Sequence, residues 1–196
     1  MNARAQGREG DSTNVLVRTP AIATDGDTNV LEFLTATPPE KTNVLIISYV
    51  RSADEWTRSW LDHAGEHPAN LGIVQVGETM RSVARSQASS STAPTPNVLA
   101  TVGNPSNLTE LGITISEYLT DWDDNPYETS ICFDSLTALL QYTDSVRTAF
   151  RFLHTLVGRV QTAHARACYK IIPQAHDQQT VATLRGLFDT VIEYEE

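Results

Sequence analysis

The sequence predicts an α/β protein built in three layers, with a mainly parallel central sheet flanked by helices. Short apolar runs alternate with segments whose apolar residues recur at helical spacing, and this order is typical of a parallel sheet. The run at 43–49 is nearly continuous in apolar residues, as expected for a strand that is covered by helices on both faces. A chain of 196 residues is long enough for one domain with a full core.

Seven strands are predicted from the apolar runs, which are separated by the Pro, Gly, Asn and Asp residues that mark turns. The tetrapeptide Thr-Asn-Val-Leu begins at residues 13, 28 and 42. We assign the first and third copies to strands and the second to a helix, so we infer no structural repeat. The predicted strands are 13–17, 43–49, 71–76, 98–102, 130–133, 167–172 and 190–194.

Capping residues and apolar stripes predict the helices. Ser52 and Glu55 have the spacing of a capping box, and the helix that they open should stop near Gly65. Apolar residues form one continuous stripe along 144–164, which predicts the longest helix. Asp177 is a candidate N-cap for the last helix.

The charge composition is strongly acidic. The chain has 24 acidic and 14 basic residues, a net charge of −10, and only two lysines, Lys41 and Lys170. An acidic, lysine-poor surface stays hydrated in multimolar salt, where the repulsion between like charges is screened, so we favour a protein of a halophile. An acidic protein from a GC-rich genome is the alternative. No basic stripe is present that would bind nucleic acid.

The domain organisation predicted from composition is simple. The polar segment 1–12 is expected to be a disordered tail, 13–196 a single domain, and the Ser-, Thr- and Pro-rich stretch 82–97 a surface loop. No apolar run approaches the ~18 residues of a membrane span, and the N-terminus lacks the apolar part of a signal peptide. These features predict a cytoplasmic protein with no membrane contact.

The stretch of greatest functional interest is the strand 130–133 with Asp134 at its carboxyl end. Ligands of α/β proteins bind at the carboxyl ends of central strands. Asp134 is therefore either a magnesium or nucleotide ligand, or a structural acid that bonds to nearby backbone N–H groups. The residues alone leave both interpretations open.

The other candidate catalytic or metal-binding residues have simpler structural explanations. Cys132 and Cys168 lie in apolar runs without CxxC spacing and are expected to be small buried residues. His63 and His67 are four residues apart, but Gly and Pro interrupt the helix there, which disfavours a shared metal. His176 precedes Asp177, and the capping role of the aspartate is the simpler interpretation.

Three segments together resemble the RecA/KaiC-like ATPase core over residues 13–194. Ile131 to Leu140 (ICFDSLTALL) is similar to that family's Walker B strand, 46–56 (IISYVRSADEW) to its second strand and capped helix, and 175–194 to its closing segment. The resemblance is greatest to KaiC-like domains of halophilic archaea. It implies a nucleotide fold in which Asp134 would hold magnesium and Asp134, Ser135, Thr19 and Thr28 would line the nucleotide site.

The chain departs from this family at the residues that perform its chemistry. In the family, the first strand leads into a P-loop whose backbone and lysine hold the phosphates; here the loop after the first strand, 19–28 (TPAIATDGDT), has one glycine and no lysine. Paired glutamates that position the attacking water correspond to Val50 and Arg51. The resemblance therefore implies a P-loop NTPase fold without a functional P-loop.

These observations predict a non-catalytic regulatory or signalling adaptor that acts through protein–protein contacts, with no cofactor. The partner is an unidentified protein or a second copy of the chain, and Trp56 and Trp60 are candidate interface residues, although core positions are equally natural for tryptophan. The alternative is a nucleotide sensor or weak ATPase that binds ATP and magnesium through Asp134 and the 18–27 loop.

Overall fold

The computed structural model describes residues 4–6, 13–20, 28–77 and 97–193. Within these residues, eight strands form one sheet and six α-helices cover it. The predicted α/β class with a mainly parallel central sheet is confirmed. The strands are β1 (Arg4–Gln6), β2 (Asn14–Arg18), β3 (Thr42–Ser48), β4 (Asn70–Val76), β5 (Asn97–Val102), β6 (Glu128–Asp134), β7 (Arg166–Ile171) and β8 (Thr190–Glu193).

The order of strands across the sheet is β1-β8-β2-β7-β6-β3-β4-β5. Seven strands are parallel, and β1 pairs antiparallel with β8 at one edge. All carboxyl ends of the parallel strands therefore meet along one rim of the sheet, which we call the carboxyl edge. β2, β7, β6, β3 and β4 supply the centre of this edge.

The helices lie in two layers on opposite faces of the sheet. The first layer contains α1 and α2, and the second contains α3 to α6. Their bounds are α1 (Thr28–Leu34), α2 (Ala53–Ala64), α3 (Leu108–Asp121), α4 (Leu136–Tyr142), α5 (Val146–Thr162) and α6 (Gln178–Arg185). The predicted capping box is confirmed, because the Ser52 side chain accepts from the Glu55 N–H while Glu55 accepts from the Ser52 N–H.

Each layer has its own apolar core because side chains alternate between the faces of each strand. On the α1–α2 side, Trp56 and Trp60 pack against β3, β4 and both cysteines. On the other side, Phe133 and Tyr169 pack beneath α4 to α6. In β4, Gly72 leaves room for Tyr118 of α3, since a methyl group there would lie 2.6 Å from its ring.

Two predictions about chain organisation fall largely outside the described residues. Within the predicted tail 1–12, Arg4–Gln6 forms strand β1, which pairs with β8, and the rest of that segment is not described. The predicted surface loop 82–97 lies outside the described residues except for residue 97, which begins β5. Among the described helices, none combines the length and apolar character needed to cross a membrane.

Candidate functional site

The carboxyl edge contains an ion pair between neighbouring strands. Asp134 ends β6, and because Phe133 pairs with Tyr169 in the β6–β7 register, Lys170 lies directly beside it on β7. The Lys170 Nζ atom is 3.5 Å from Asp134 Oδ1, with 5% of the aspartate side chain and 17% of the lysine side chain exposed. A charge this deeply buried needs a partner, and here the carboxylate has an ammonium group.

The residue after Asp134 is used to start a helix. Ser135 is buried, and its side chain accepts a hydrogen bond of 3.3 Å from the Ala138 N–H at the start of α4. The peptide bond between Asp134 and Ser135 is cis. Thr137, one turn further on, accepts a 2.9 Å hydrogen bond from the Ile172 N–H just beyond β7. Both hydroxyls therefore make hydrogen bonds within the fold, at positions where the resemblance would place a nucleotide.

The two threonines predicted to flank the phosphates lie on either side of a segment outside the described residues. Thr19 is buried after β2, and its N–H donates to the carbonyl of Ile171 at 3.0 Å. Thr28 is exposed as the first residue of α1. Residues 21–27, which would form the phosphate loop, are not described. The structure thus places Thr19 beside the end of β7 and Thr28 at the start of α1.

Val50 and Arg51 follow β3, at the two positions that the resemblance to RecA/KaiC-like proteins would assign to glutamates, and neither is a carboxylate. Val50 is 68% exposed. The Arg51 guanidinium lies 4.4 Å above the Trp56 ring and donates to Ser59 Oγ at 2.6 Å. Arg51 is therefore directed along α2, where it stacks on an aromatic ring rather than facing a phosphate.

The turn after β3 is fixed by two buried polar side chains. Ser48 Oγ donates to the Arg51 carbonyl at 2.7 Å and accepts from the Trp56 indole N–H at 3.1 Å. Gln75, at the end of β4, donates to the same Arg51 carbonyl at 2.9 Å and accepts from the Ala53 N–H at 3.2 Å. The polar groups of the turn are therefore hydrogen-bonded within the protein and do not require a ligand to satisfy them.

Trp56 and Trp60 are not interface residues. Each is 0% exposed, because both lie between α2 and the sheet. The Trp60 indole N–H donates to the Glu66 carbonyl at 2.8 Å, so both indoles have their polar atom satisfied. The predicted contact role is wrong for both residues, and the alternative of core anchors holds.

Three buried side-chain atoms near the carboxyl edge lack a hydrogen-bond partner: Arg18 Nε, Tyr49 Oη and His176 Nε2. Arg18 follows β2 and pairs with Glu193 through another nitrogen. Burial raises the pKa of Tyr49 above its usual range. Burial also lowers the pKa of His176, against the opposing effect of Asp177.

The remaining sequence candidates have structural roles. Cys132 and Cys168 are opposite each other on β6 and β7, are free, and are buried; a hydrogen bond from the Cys132 thiol to Cys168, together with burial, raises the pKa of Cys132. Asp177 caps α6, accepting from the Thr180 N–H at 2.8 Å, and His63 Nε2 is 3.3 Å from Thr35 Oγ1. In the described part of the chain, no three His, Cys, Asp or Glu residues form a metal-binding group.

Three further residues, Lys170, Gln75 and Thr137, lie at this edge and were not predicted there from the sequence. A lysine within an otherwise apolar strand was an available signal, because burial of an ammonium group requires a partner. Gln75 gave a similar signal near the end of a run of apolar residues. The partners themselves depend on the order of the strands, which the sequence did not provide.

A family model matches residues 12–194 of this chain. The chain belongs to DUF7504, a family of unknown function. None of the curated proteins compared with it matches. Among solved structures, it is similar to the uncharacterized protein PH0321 from Pyrococcus horikoshii, crystallised in complex with an unknown peptide: 13% sequence identity, 94% of this chain and 78% of that chain covered, TM-score 0.61. At this identity the likeness concerns the fold alone.

Proposed function

We propose that this member of DUF7504 is a RecA/KaiC-like domain that no longer turns over nucleotide and serves as a regulatory or signalling adaptor through protein contacts. The ion pair between Asp134 and Lys170 carries this proposal. A magnesium ion needs carboxylate and water oxygens, and at Asp134 it would have to compete with an ammonium group that already neutralises the carboxylate.

The neighbouring positions support the same proposal. Hydrolysis requires a group that positions the attacking water, whereas Val50 points to solvent and Arg51 stacks on Trp56. Ser135, beside the carboxylate, caps α4. Each residue that the family would use for chemistry has a structural role here or a side chain unsuited to it.

The proposed contact role is supported by a solved structure of similar fold. The similar protein from Pyrococcus horikoshii was crystallised with an unknown peptide, and we take from this only that the fold is compatible with a peptide-binding surface. We also propose that the protein works in a salt-adapted cytoplasm, because 24 acidic residues are accompanied by only two lysines, and such a composition favours hydration at high salt.

Calorimetric titration with ATP and with ADP, each with magnesium, tests the loss of the nucleotide site. We expect no binding heat from the wild-type protein in about 0.5 M KCl, where long-range charge repulsion is screened. The matched variants are Asp134→Asn and Glu193→Gln, which each remove one acidic charge at the same edge of the sheet. Micromolar binding by the wild type that is lost in Asp134→Asn but kept in Glu193→Gln would overturn the proposal.

A second candidate function is nucleotide sensing by an unconventional site. Arg18 Nε, Tyr49 Oη and His176 Nε2 are buried near the carboxyl edge without hydrogen-bond partners, and buried polar atoms are usually satisfied. A ligand at this edge would supply acceptors or donors to them. The same titration decides between the two candidates, since this one requires binding without turnover.

A further inference from the structure

Two neighbouring helices on one face of the molecule carry opposite charges. α3 contains Glu110, Glu117 and Asp121 and no basic residue. α5 contains Arg147, Arg151 and Arg159, together with a histidine, and no acidic residue. These six charged side chains are exposed. The surface formed by α3 and α5, which we call the α3–α5 face, is therefore acidic along one side and basic along the other.

A groove of about 730 Å³ runs between these helices. Its walls include Gly112 and Ser116 of α3 and Phe152 and Leu156 of α5. Ile113, on its rim, is 55% exposed. An apolar groove bordered by charged residues is typical of an interaction site, and this face is one of the few places where the described chain exposes a large aliphatic side chain.

The two helices run in the same direction, so their charges can be compared position by position. A methyl group on Gly112 would lie 3.6 Å from the Phe152 ring, and Arg159 Nη2 is 3.2 Å from Thr120 Oγ1. A residue of α3 is thus level with the residue of α5 about 40 positions later. Glu110 is consequently level with Arg151, and Asp121 is level with Arg159.

We propose that a second copy of this chain covers the α3–α5 face and forms a two-fold symmetric dimer. A two-fold axis parallel to the helices places α3 of each copy over α5 of the other and keeps residues at the same level. The acidic side then meets the basic side twice, Glu110 opposite Arg151 and Asp121 opposite Arg159. The apolar grooves close over one another, and Ile113 is removed from water.

Charge complementarity favours a second copy over an unrelated partner. A two-fold interface brings the same surface patch together with itself and must be self-complementary, which the α3–α5 face is. The other in-plane axis, perpendicular to the helices, would place α3 over α3 and oppose like charges. A wholly basic or wholly acidic partner would match one side of the face and be repelled by the other.

The dimer does not depend on the proposed function, because it is formed by exposed side chains of α3 and α5, whereas Asp134 and Lys170 belong to strands of the sheet. Sedimentation equilibrium of the wild-type chain measures it directly. We expect a mass of about 43 kDa, twice the 21.5 kDa of one chain, at micromolar concentration in roughly 0.5 M KCl, where repulsion between two acidic copies is screened. A protein that remains monomeric at about 100 μM would overturn the proposal. At that concentration, any dimer whose free energy of association is more favourable than about −5 kcal/mol would be visible.

A charge exchange tests the geometry. Glu110→Lys with Asp121→Lys leaves both helices with a net positive charge, and Arg151→Glu with Arg159→Glu leaves both with a net negative charge. Each double variant alone should be monomeric, because its face repels a second copy. An equimolar mixture should recover the dimer, since each α3 then meets an oppositely charged α5.

The control is Glu32→Lys with Asp62→Lys, which makes the same change in net charge as the lysine face variant, on exposed residues of α1 and α2, on the opposite face of the sheet. It should remain dimeric. Far-UV circular dichroism in the same buffer establishes that every variant is folded. Dimerisation of either face variant alone, or failure of the folded variants to associate on mixing, would show that the copies do not meet through α3 and α5.

Discussion

A lysine on β7 decides how Asp134 can act. Asp134 is 3% exposed at the end of β6, and its neighbour across the strand pair is the largely buried ammonium group of Lys170. Burial removes most of the water from both groups, so each charge needs the other as its partner. The pair is therefore a structural unit of the sheet, and its charges are balanced without a metal ion.

Breaking this pair should destabilise the protein more than breaking an exposed pair. We expect Asp134→Asn and Lys170→Met each to lower the free energy of unfolding by roughly 3 kcal/mol, because each leaves a buried charge unpaired. The double variant should cost less than the sum of the two. Urea unfolding of all three proteins measures the coupling.

The control for this cycle is Glu193→Gln, which breaks the ion pair with Arg18. About a third of each of these side chains is exposed, so the expected cost is below about 1 kcal/mol. Additive effects of Asp134→Asn and Lys170→Met would show that the two side chains do not depend on each other, and would contradict the structural role given to the pair.

Part of the site was predictable from the sequence at this scale. Asp134 could be identified because it ends an apolar run, and ligands and special polar groups collect where strands end. Lys170 could not be assigned as its partner, since the two residues are far apart in the chain and meet only through the β6–β7 register. The burial of Trp56 and Trp60 was equally undecided, because an amphipathic helix does not show how far the sheet beneath it extends.

Single capping residues determine where several helices begin. Asp177 accepts hydrogen bonds from the N–H and the hydroxyl of Thr180 at 2.8 and 2.7 Å. These bonds favour the ionised carboxylate and hold the pKa of Asp177 below its usual value. Ser145 caps α5 in the same way with a neutral hydroxyl, accepting from the Thr148 N–H at 3.2 Å.

The Asp177 cap should therefore stabilise the protein in a pH-dependent manner. Its folded pKa is lower than its unfolded pKa, so the stabilisation is fully present above the unfolded value of about 3.9 and is lost as the pH falls through the folded value. The difference in unfolding free energy between the wild type and Asp177→Asn should be constant above about pH 5 and shrink below about pH 4. Urea unfolding across this range measures it.

Ser145→Ala provides the comparison for that experiment, because the serine hydroxyl does not titrate there. The cost of this substitution should stay the same as the pH changes. A difference for Asp177→Asn that is equally independent of pH would mean that the carboxylate charge adds nothing to the cap.

The repeated tetrapeptide shows what an element's sequence can and cannot specify. Asn14 to Leu16 of the first copy and Thr42 to Leu45 lie in β2 and β3, whereas Thr28 to Leu31 opens α1. The helical copy is followed by Glu32, Phe33 and Leu34, which continue an apolar stripe at helical spacing, while the strand copies continue with apolar or β-branched residues. The residues that follow each copy allowed the correct assignment. The conformational propensity of the shared tetrapeptide alone could not provide it.

At the scale of the whole molecule, the order of the strands in the sheet could not be predicted from the sequence. The predicted strands occupy nearly the observed ranges because apolar runs and turn residues mark them locally. Their order, with β2 between β8 and β7, depends on packing between segments distant in sequence. Strand β1 was missed because Arg4–Gln6 has only three residues, too few to show an alternating pattern.

The acidic composition predicts a stability that rises with salt. With a net charge of −10, the folded chain repels itself, and salt reduces this repulsion. The melting temperature should increase as KCl is raised from about 0.1 M to about 2 M, where the screening length falls below about 3 Å. Circular dichroism at 222 nm follows the melt, and a melting temperature that is constant or falls with KCl would contradict adaptation to high salt.

The most direct test of the account is whether Asp134 can hold a divalent ion with nucleotide. Manganese takes the oxygen ligands of magnesium and reports its surroundings by electron paramagnetic resonance. With wild-type protein in excess over Mn²⁺ and ATP, we predict the spectrum of the free metal–nucleotide complex, because Lys170 already neutralises the carboxylate. A protein-bound manganese signal that disappears in Asp134→Asn would contradict the account and establish a working nucleotide site.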